Sequence, residues 1–523
     1  LDLLIKLRDL VRDHAGARAR CQGLFDHILV DEFQDTDPLQ AEIVLFLCED
    51  GACANRFEDV ALGPHRLTVV GDPQQSIYRF RRADVAMYDL VRRKVEGSDH
   101  LEARLSSNFR SRPELIDWYN ARLSKLLGPS EPVFSPFDPD KGTVTYQPLA
   151  AGCDGRDGPS VVALGYSAGE RASAGEKRAV EAEALARYLR WLVDSGFQVR
   201  DPLTEERRPV GFGDVAILNL ATSNLPLVFE AFDRFGIPYV SRGGKLFLQD
   251  PLHRRFLLGL RAIADPSDGP AGAALLGPPF FALDPQDVLA ERAACGEETP
   301  ADEGARRARE ALSLVRDLRV RRFQRPPGAT ARDLLERTAF ARTVALGPNG
   351  AQRVERLREL CLAIEARAAA DGIDFDAVTA VARGWVDAPV LMDAPAPVDA
   401  TAVQVITVFQ AKGLEFPVTV WWDASAQLAP REDHGAWRVE RDGSAWSLSV
   451  GTCAWEEPAG CGLAVREATY RQAERLRLVY VALTRARDLL VLPQTKPGRG
   501  RYVTCELLEE MPETLVAATP VFP

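Results

Sequence analysis

Ile28-Leu29-Val30-Asp31-Glu32-Phe33-Gln34-Asp35-Thr36 is the stretch on which the fold turns. Its apolar start reads as a short buried strand from His27 to Val30, with Asp31 and Glu32 directly past its end. Asp37 and Pro38 then have the character of a helix N-cap and first helical residue, followed by Leu39, Ile43 and Leu47 on one face. Leu67 to Val70 repeats the pattern and runs into Gly71-Asp72. Strand, polar loop and helix in this order predict an open parallel α/β sheet, whose ligands gather at the carboxyl ends of the strands. A pair of carboxylates at such an end suits nucleotide hydrolysis, in which one group holds hydrated magnesium near the phosphates and the other orients or deprotonates the attacking water. Asp31 fits the metal and Glu32 the water. An isolated Asp-Glu pair more often simply opens a loop, so its surroundings decide.

Working outward, Gly71-Asp72-Pro73-Gln74-Gln75-Ser76-Ile77-Tyr78-Arg79-Phe80-Arg81 sets aromatic residues among arginines. An aromatic face that stacks on a base contributes about 1–3 kcal/mol without demanding a particular sequence. Asp31 to Thr36 resembles the Walker B motif of UvrD/RecB-like superfamily 1 helicases, and Gly71 to Arg81 resembles motif III, in a form closest to the RecB and AddA subgroup. The resemblance implies that Gln75 senses the γ-phosphate, that Tyr78 and Phe80 stack on single-stranded bases, and that Arg79 and Arg81 lie beside them on DNA.

Further motifs follow in the same family order. Ser107-Asn108-Phe109-Arg110-Ser111 is similar to motif IV, which gives Arg110 a γ-phosphate contact from the side opposite Asp31. Behind it, Ser111-Arg112-Pro113-Glu114 has a capping-box pattern ahead of Leu115, Tyr119 and Leu123 at helical spacing. Thr407 to Phe416 resembles motif V: Gly413 and Glu415 fall on the nucleotide side, Glu415 at the sugar, and Thr407 on the DNA side. Relatives commonly carry histidine where this chain has Phe409, for which a place as a buried aromatic is sufficient. Val479 to Arg487 resembles motif VI, with the arginine finger falling on Arg485, while Arg487 reads as a helix C-terminal charge. The block Gly236 to Phe247 is similar to the segment after motif IV, with Gly243 and Gly244 turning near DNA, and Asn219 stands where arginine is frequent.

The expected fold is therefore α/β, with two RecA-like parallel-sheet domains, the first incomplete, and a mainly helical insertion in the second. Residues 1–103 form the carboxyl-terminal part of the first domain, 104–264 and 398–523 the two parts of the second, and 265–397 the insertion, with breaks at Pro278, Pro326 and Pro348. By length alone, about three or four folding units are expected.

The net charge of −11 argues against a nucleic-acid partner on the global scale, but Arg79, Arg81 and Arg82 and then Arg104, Arg110 and Arg112 cluster locally, enough for a cationic groove on an acidic body. Apolar runs such as Leu489 to Leu492 are too short to span a bilayer. The nine cysteines show no zinc-ligand spacing, and their odd number fits a reducing cytoplasm. No Gly-x-x-x-x-Gly-Lys-Ser/Thr loop occurs, and Lys245 after Gly244 lacks the flanking residues of one. From this and the absence of an initial methionine, the chain is expected to be a fragment of an active helicase, inactive without that loop. The resemblance implies ATP and Mg²⁺ as cofactors, single-stranded and duplex DNA as partners, 3′ to 5′ movement, and a RecC- or AddB-like companion subunit. No nuclease constellation of acidic residues is visible. A different class, a non-hydrolytic DNA-binding or scaffolding subunit derived from such a motor, is the alternative. A nucleotide-dependent enzyme unrelated to DNA is disfavoured by Tyr78, Phe80 and their arginines.

Overall fold

A computed structural model describes residues 2–51, 53–128, 137–138, 142–155, 159–165, 172–201, 204–221, 224–241, 251–347, 350–387, 401–422, 437–439, 446–450, 453–457 and 462–494. Gly243, Gly244, Lys245 and Pro348 lie outside the described residues. The chain divides into two compact units, one of Leu1–Ala163 with Val408–Val521, the other of Leu164–Thr407 with Phe522–Pro523. This division differs from the domain boundaries expected from sequence, because residues 104–163 cluster with the first unit and strand Val403–Thr407 with the second.

The parallel strands are β1 (Ile28–Val30), β2 (Leu67–Val69), β3 (Val161–Gly165), β4 (Val215–Asn219), β5 (Tyr239–Ser241), β6 (Val403–Thr407), β7 (Phe416–Trp421) and β8 (Ala486–Gln494). In the first unit β1 pairs with β2, Leu29 opposite Thr68, and a separate set runs in the order β7-β8-β3. The β1–β2 pair packs on helices α1 (Pro38–Leu47) and α2 (Val85–Glu96) around Phe33, Leu45, Phe46, Met87 and Val91. Asp37 caps α1 as its sequence signals: it accepts from Gln40 N at 2.9 Å, and Gln40 accepts in return from Asp37 N at 3.1 Å. Only one face of β1 and β2 is covered, by way of Val30, Leu67 and Val69. The expectation of fully buried strands therefore fails on the other face, where Leu29 is 73% and Val70 52% exposed. Apolar runs report strand character, but not whether both faces are covered.

Helix α3 (Pro113–Leu127) buries Leu115, Tyr119 and Leu123 as their spacing predicts. Its start corrects the capping-box expectation: Arg112 is the N-cap, without a side-chain cap bond, and Ser111 Oγ instead donates to the Ala486 carbonyl at 2.7 Å. A hydroxyl that bonds the adjoining strand is not available to cap α3. The last helix of the unit, α4 (Leu463–Leu483), leads into β8, so Arg487 sits in a strand and not at a helix end.

In the second unit the parallel set runs β5-β6-β4, with Asn219 opposite Thr407 at the end of the register. Asn219 is fully buried and donates to the Ile406 carbonyl at 2.8 Å. The helical body packs on Phe256, Leu260, Phe280, Leu334, Phe340, Leu357, Ile364 and Trp385, so its core begins ahead of residue 265. Its helices start where short acidic side chains cap them: Asp268, Asp284 and Asp302 each accept from backbone N–H groups of the following turn. Gly259 is dictated by contact, since a Cβ there would lie 2.5 Å from the Phe280 ring. No helix among the described residues is long and apolar enough to cross a membrane.

Candidate nucleotide and single-strand site

At the end of β1 the backbone passes through Glu32 in the left-handed region, φ 51°, before the turn Phe33–Asp35. A non-glycine residue there costs about 1–3 kcal/mol and persists only where its surroundings fix it. Gln34 does much of that fixing. Fully buried, it donates to the Glu32 carboxylate and accepts from Asp72 N at 2.9 Å, and its backbone carbonyl accepts from Ser76 Oγ at 3.1 Å. Gly71 admits this contact, because a Cβ would fall 2.5 Å from Gln34 Oε1. Asp72 then caps the short turn Pro73–Gln75, accepting from Gln74 N and from Gln75 Nε2, each at 2.9 Å, and from the Tyr480 hydroxyl at 3.3 Å. Asp31 and Glu32 themselves are exposed, and Asp31 accepts from Glu32 N at 2.8 Å.

Lys412 ties these elements to motif V. Its ammonium donates to the Asp35 carboxylate and, at 2.7 Å, to the Gln75 carbonyl; it lies 3.6 Å from Glu32 Oε2 and 5.3 Å from the centre of the Tyr78 ring. Burial raises the Asp35 carboxyl above its ordinary value, and the opposing pull of Lys412 does not fully offset it. The sequence alone gives Lys412 no role. Its signal is its place between Phe409 and Glu415, which carries weight only when the partners across the fold are known.

Tyr78, Phe80 and Phe409 form an aromatic group. Phe80 packs edge-on to Phe409 at 5.2 Å between ring centres, Tyr78 lies 5.9 Å from Phe80, and the Tyr78 hydroxyl donates to the Phe409 carbonyl at 2.9 Å. Phe409 is half-buried rather than a buried core residue, which corrects the reading from its type alone. Phe80 is 63% exposed, and the Arg81 guanidinium lies over the rings of both Tyr78 and Phe80. Arg79 turns the other way, onto α4, where it pairs with Glu467.

Arg110 donates to Glu415 at 2.6 Å, and Arg487 pairs with the same carboxylate at 3.2 Å, so the motif IV arginine and the motif V glutamate meet with Gly413 (φ 77°) two residues away. Arg112 and Arg79 are engaged within the fold, so the basic clusters form no continuous cationic groove. Arg485 is almost fully buried and donates to the carbonyls of Val481 at 2.9 Å and Leu414 at 3.3 Å. Burial pushes its guanidinium down to about 10, and does the same to Arg477. Arg477, which sequence reasoning misses, donates to the Ser76 carbonyl at 2.7 Å, beside Gln75. Its position one helical turn before Tyr480 is the available signal. Thr407 belongs to the other unit, at the end of β6.

The described residues contain no group of three or more metal-ligating side chains. That donor set fits magnesium, which takes one or two carboxylates and completes its shell with water and phosphate oxygens. Asp31, exposed at the strand end, is the residue present for it.

Parallel α/β architecture with these motifs drawn together in one unit defines a chain of the RecA-like helicase class. Comparison with known proteins gives the family: residues 1–96 are a UvrD/REP helicase N-terminal domain and residues 392–496 a UvrD-like helicase C-terminal domain. Relatives named as one subunit of an ATP-dependent helicase/nuclease align along most of the chain. The one from Listeria innocua is 25% identical over 90% of this chain and 39% of its own length, and that from Geobacillus kaustophilus 27% identical over the same shares. A third, from Lactobacillus delbrueckii, is 26% identical over 91% of this chain and 39% of its own. The chain thus spans about two-fifths of the length of the curated relatives it matches.

Proposed function

We propose that this chain forms part of an ATP-driven motor that moves along single-stranded DNA, 3′ to 5′, and unwinds duplex DNA in recombination and repair. The carrying observation is Lys412, whose single ammonium touches Asp35, the Gln75 carbonyl and the Tyr78 ring. A shift of the acidic loop is thereby felt at the aromatic group within one side chain's length. The naming of the relatives as part of an ATP-dependent helicase/nuclease supports the same reading, and with it a companion subunit of the RecC or AddB kind and a cytoplasmic setting.

On this reading magnesium, held by Asp31, supplies charge neutralisation at the phosphates. Glu32 orients or deprotonates the attacking water, and Gln75, steadied by Asp72, reports on the γ-phosphate. Arg110 and Arg485 stabilise charge on the phosphoryl group, and Gly413 and Glu415 border the nucleotide. To reach a phosphate, Arg485 must leave the carbonyls of Val481 and Leu414, so closure of the site and release of those bonds occur together. Tyr78 and Phe80 stack on bases, with Arg81 and Thr407 on the DNA side. The 523 residues hold no phosphate-binding loop, so the chain by itself turns over no ATP in response to DNA.

Binding of a fluorescein-labelled oligo-dT strand tests the DNA side directly. Phe80→Ala is expected to weaken it by about 1–3 kcal/mol with little change in thermal stability. A core role would instead cost about 3–5 kcal/mol of stability and impair every property together; that outcome, or unaltered affinity, would remove Phe80 from the strand.

A further inference from the structure

Helix α4 reads motif III from end to end. Glu467, Tyr470, Glu474, Arg477 and Tyr480 recur at helical spacing and so share one face. They meet motif III in reverse order. Glu467 accepts from Arg79 Nε at 3.1 Å and Nη2 at 2.5 Å, the Tyr470 ring lies 4.6 Å below the same guanidinium, and Glu474 accepts from Arg79 N at 2.8 Å. Arg477 then donates to the Ser76 carbonyl, and Tyr480 to Asp72.

Arg79 therefore spends its planar fork on a bidentate carboxylate contact, its π-face on a tyrosine and its backbone N–H on a second carboxylate. A charged group used in this way is poorly placed to hold a phosphate as well. Its neighbours Tyr78 and Phe80 carry the aromatic faces, and Arg81, exposed above their rings, is the cation left on that side. We propose that Arg79 is a positioning residue and not a DNA contact: with Glu467 and Glu474 it locks the Tyr78–Phe80 turn onto the helix that carries motif VI. This rests on the reading of Tyr78 and Phe80 as base-stacking residues. The lock gives α4 a direct hold on the strand-binding turn, so that a movement of the motif VI helix becomes a movement of the stacked bases.

The sign of one substitution separates the alternatives. Glu467→Gln removes a negative charge, which by electrostatics alone would tighten binding to a polyanion. As part of the lock, its loss frees the turn and weakens oligo-dT binding by the 523-residue chain, by about fivefold or more, the low end of a stacking contribution. Arg79→Gln weakens binding comparably with an unchanged salt dependence, and the double variant is no weaker than either single one. If Arg79 instead held a phosphate, Arg79→Gln would lower the slope of log affinity against log salt by about 0.7, and Glu467→Gln would be neutral or tighter; either result overturns the inference. Glu467→Asp keeps the charge and withdraws the carboxylate by one methylene, so it decides the matter if the amide variant fails to fold: weaker binding at native melting temperature is expected, and wild-type binding overturns the lock. Phe80→Ala runs beside them. Should it weaken binding while Glu467→Gln tightens it, the stacking reading stands and the lock alone falls; a wild-type chain that does not bind oligo-dT sinks both.

Discussion

Glu32→Gln, in a form of the protein that includes a phosphate-binding loop, is expected to lower ATP hydrolysis about 10²- to 10⁴-fold, the range for loss of a general base. Affinity for ATP and for oligo-dT should hold. The substitution is close to isosteric, and an amide oxygen can still accept from Gln34, so the left-handed backbone at this position keeps its support. What the amide lacks is the basic oxygen that orients or deprotonates water. Phosphate release and equilibrium nucleotide binding, measured on the same variant, separate chemistry from binding. Unchanged hydrolysis would remove Glu32 from the role, and loss of ATP affinity in step with rate would make it a structural residue.

The second large effect is on stability. Arg18 and Glu49 form a fully buried ion pair in the first unit, in which Arg18 also donates to the carbonyls of Val11 at 2.5 Å and Ala54 at 2.7 Å, while Glu49 accepts from Ala54 N at 2.8 Å. The pair fastens the N-terminal helices to the end of α1, beside the core that supports β1. Glu49→Leu leaves a guanidinium buried without its carboxylate and is expected to cost about 3–5 kcal/mol, whereas Arg18→Met with Glu49→Leu should recover most of that loss. Hydrogen exchange of the α1 amides reads the change in this unit separately from the helical body. A loss under about 1 kcal/mol, the range of an exposed pair, would show that water reaches the site.

Much of this was legible in the sequence where local chemistry decides structure. The apolar runs gave the strands, Asp37-Pro38 gave a helix start, and Leu115, Tyr119 and Leu123 gave a buried helical face. The order of the motifs announced the family that the two helicase domains establish. What escaped reading was set by partners distant in the chain. Ser111 bonds a carbonyl of β8 instead of capping α3; Leu29 and Val70 face outward because only one side of their sheet is covered; Phe409 joins an aromatic group whose other members lie more than three hundred residues earlier, the Tyr78–Phe409 bond spanning 331 positions. Lys412 and Glu467 likewise acquire meaning only from Asp35, Gln75 and Arg79 across the fold. Residue type sets what a side chain can do, and topology chooses among those options.

ATP hydrolysis with and without oligo-dT, measured on the 523-residue chain and on a form that includes a phosphate-binding loop, tests the proposed motor most directly. The expected result is no strand-stimulated turnover from the 523-residue chain and clear stimulation in the longer form. Robust stimulation from the 523 residues alone would contradict the need for the loop, and a longer form that hydrolyses ATP without any response to the strand would contradict the coupling of Asp31 and Glu32 to Tyr78 and Phe80.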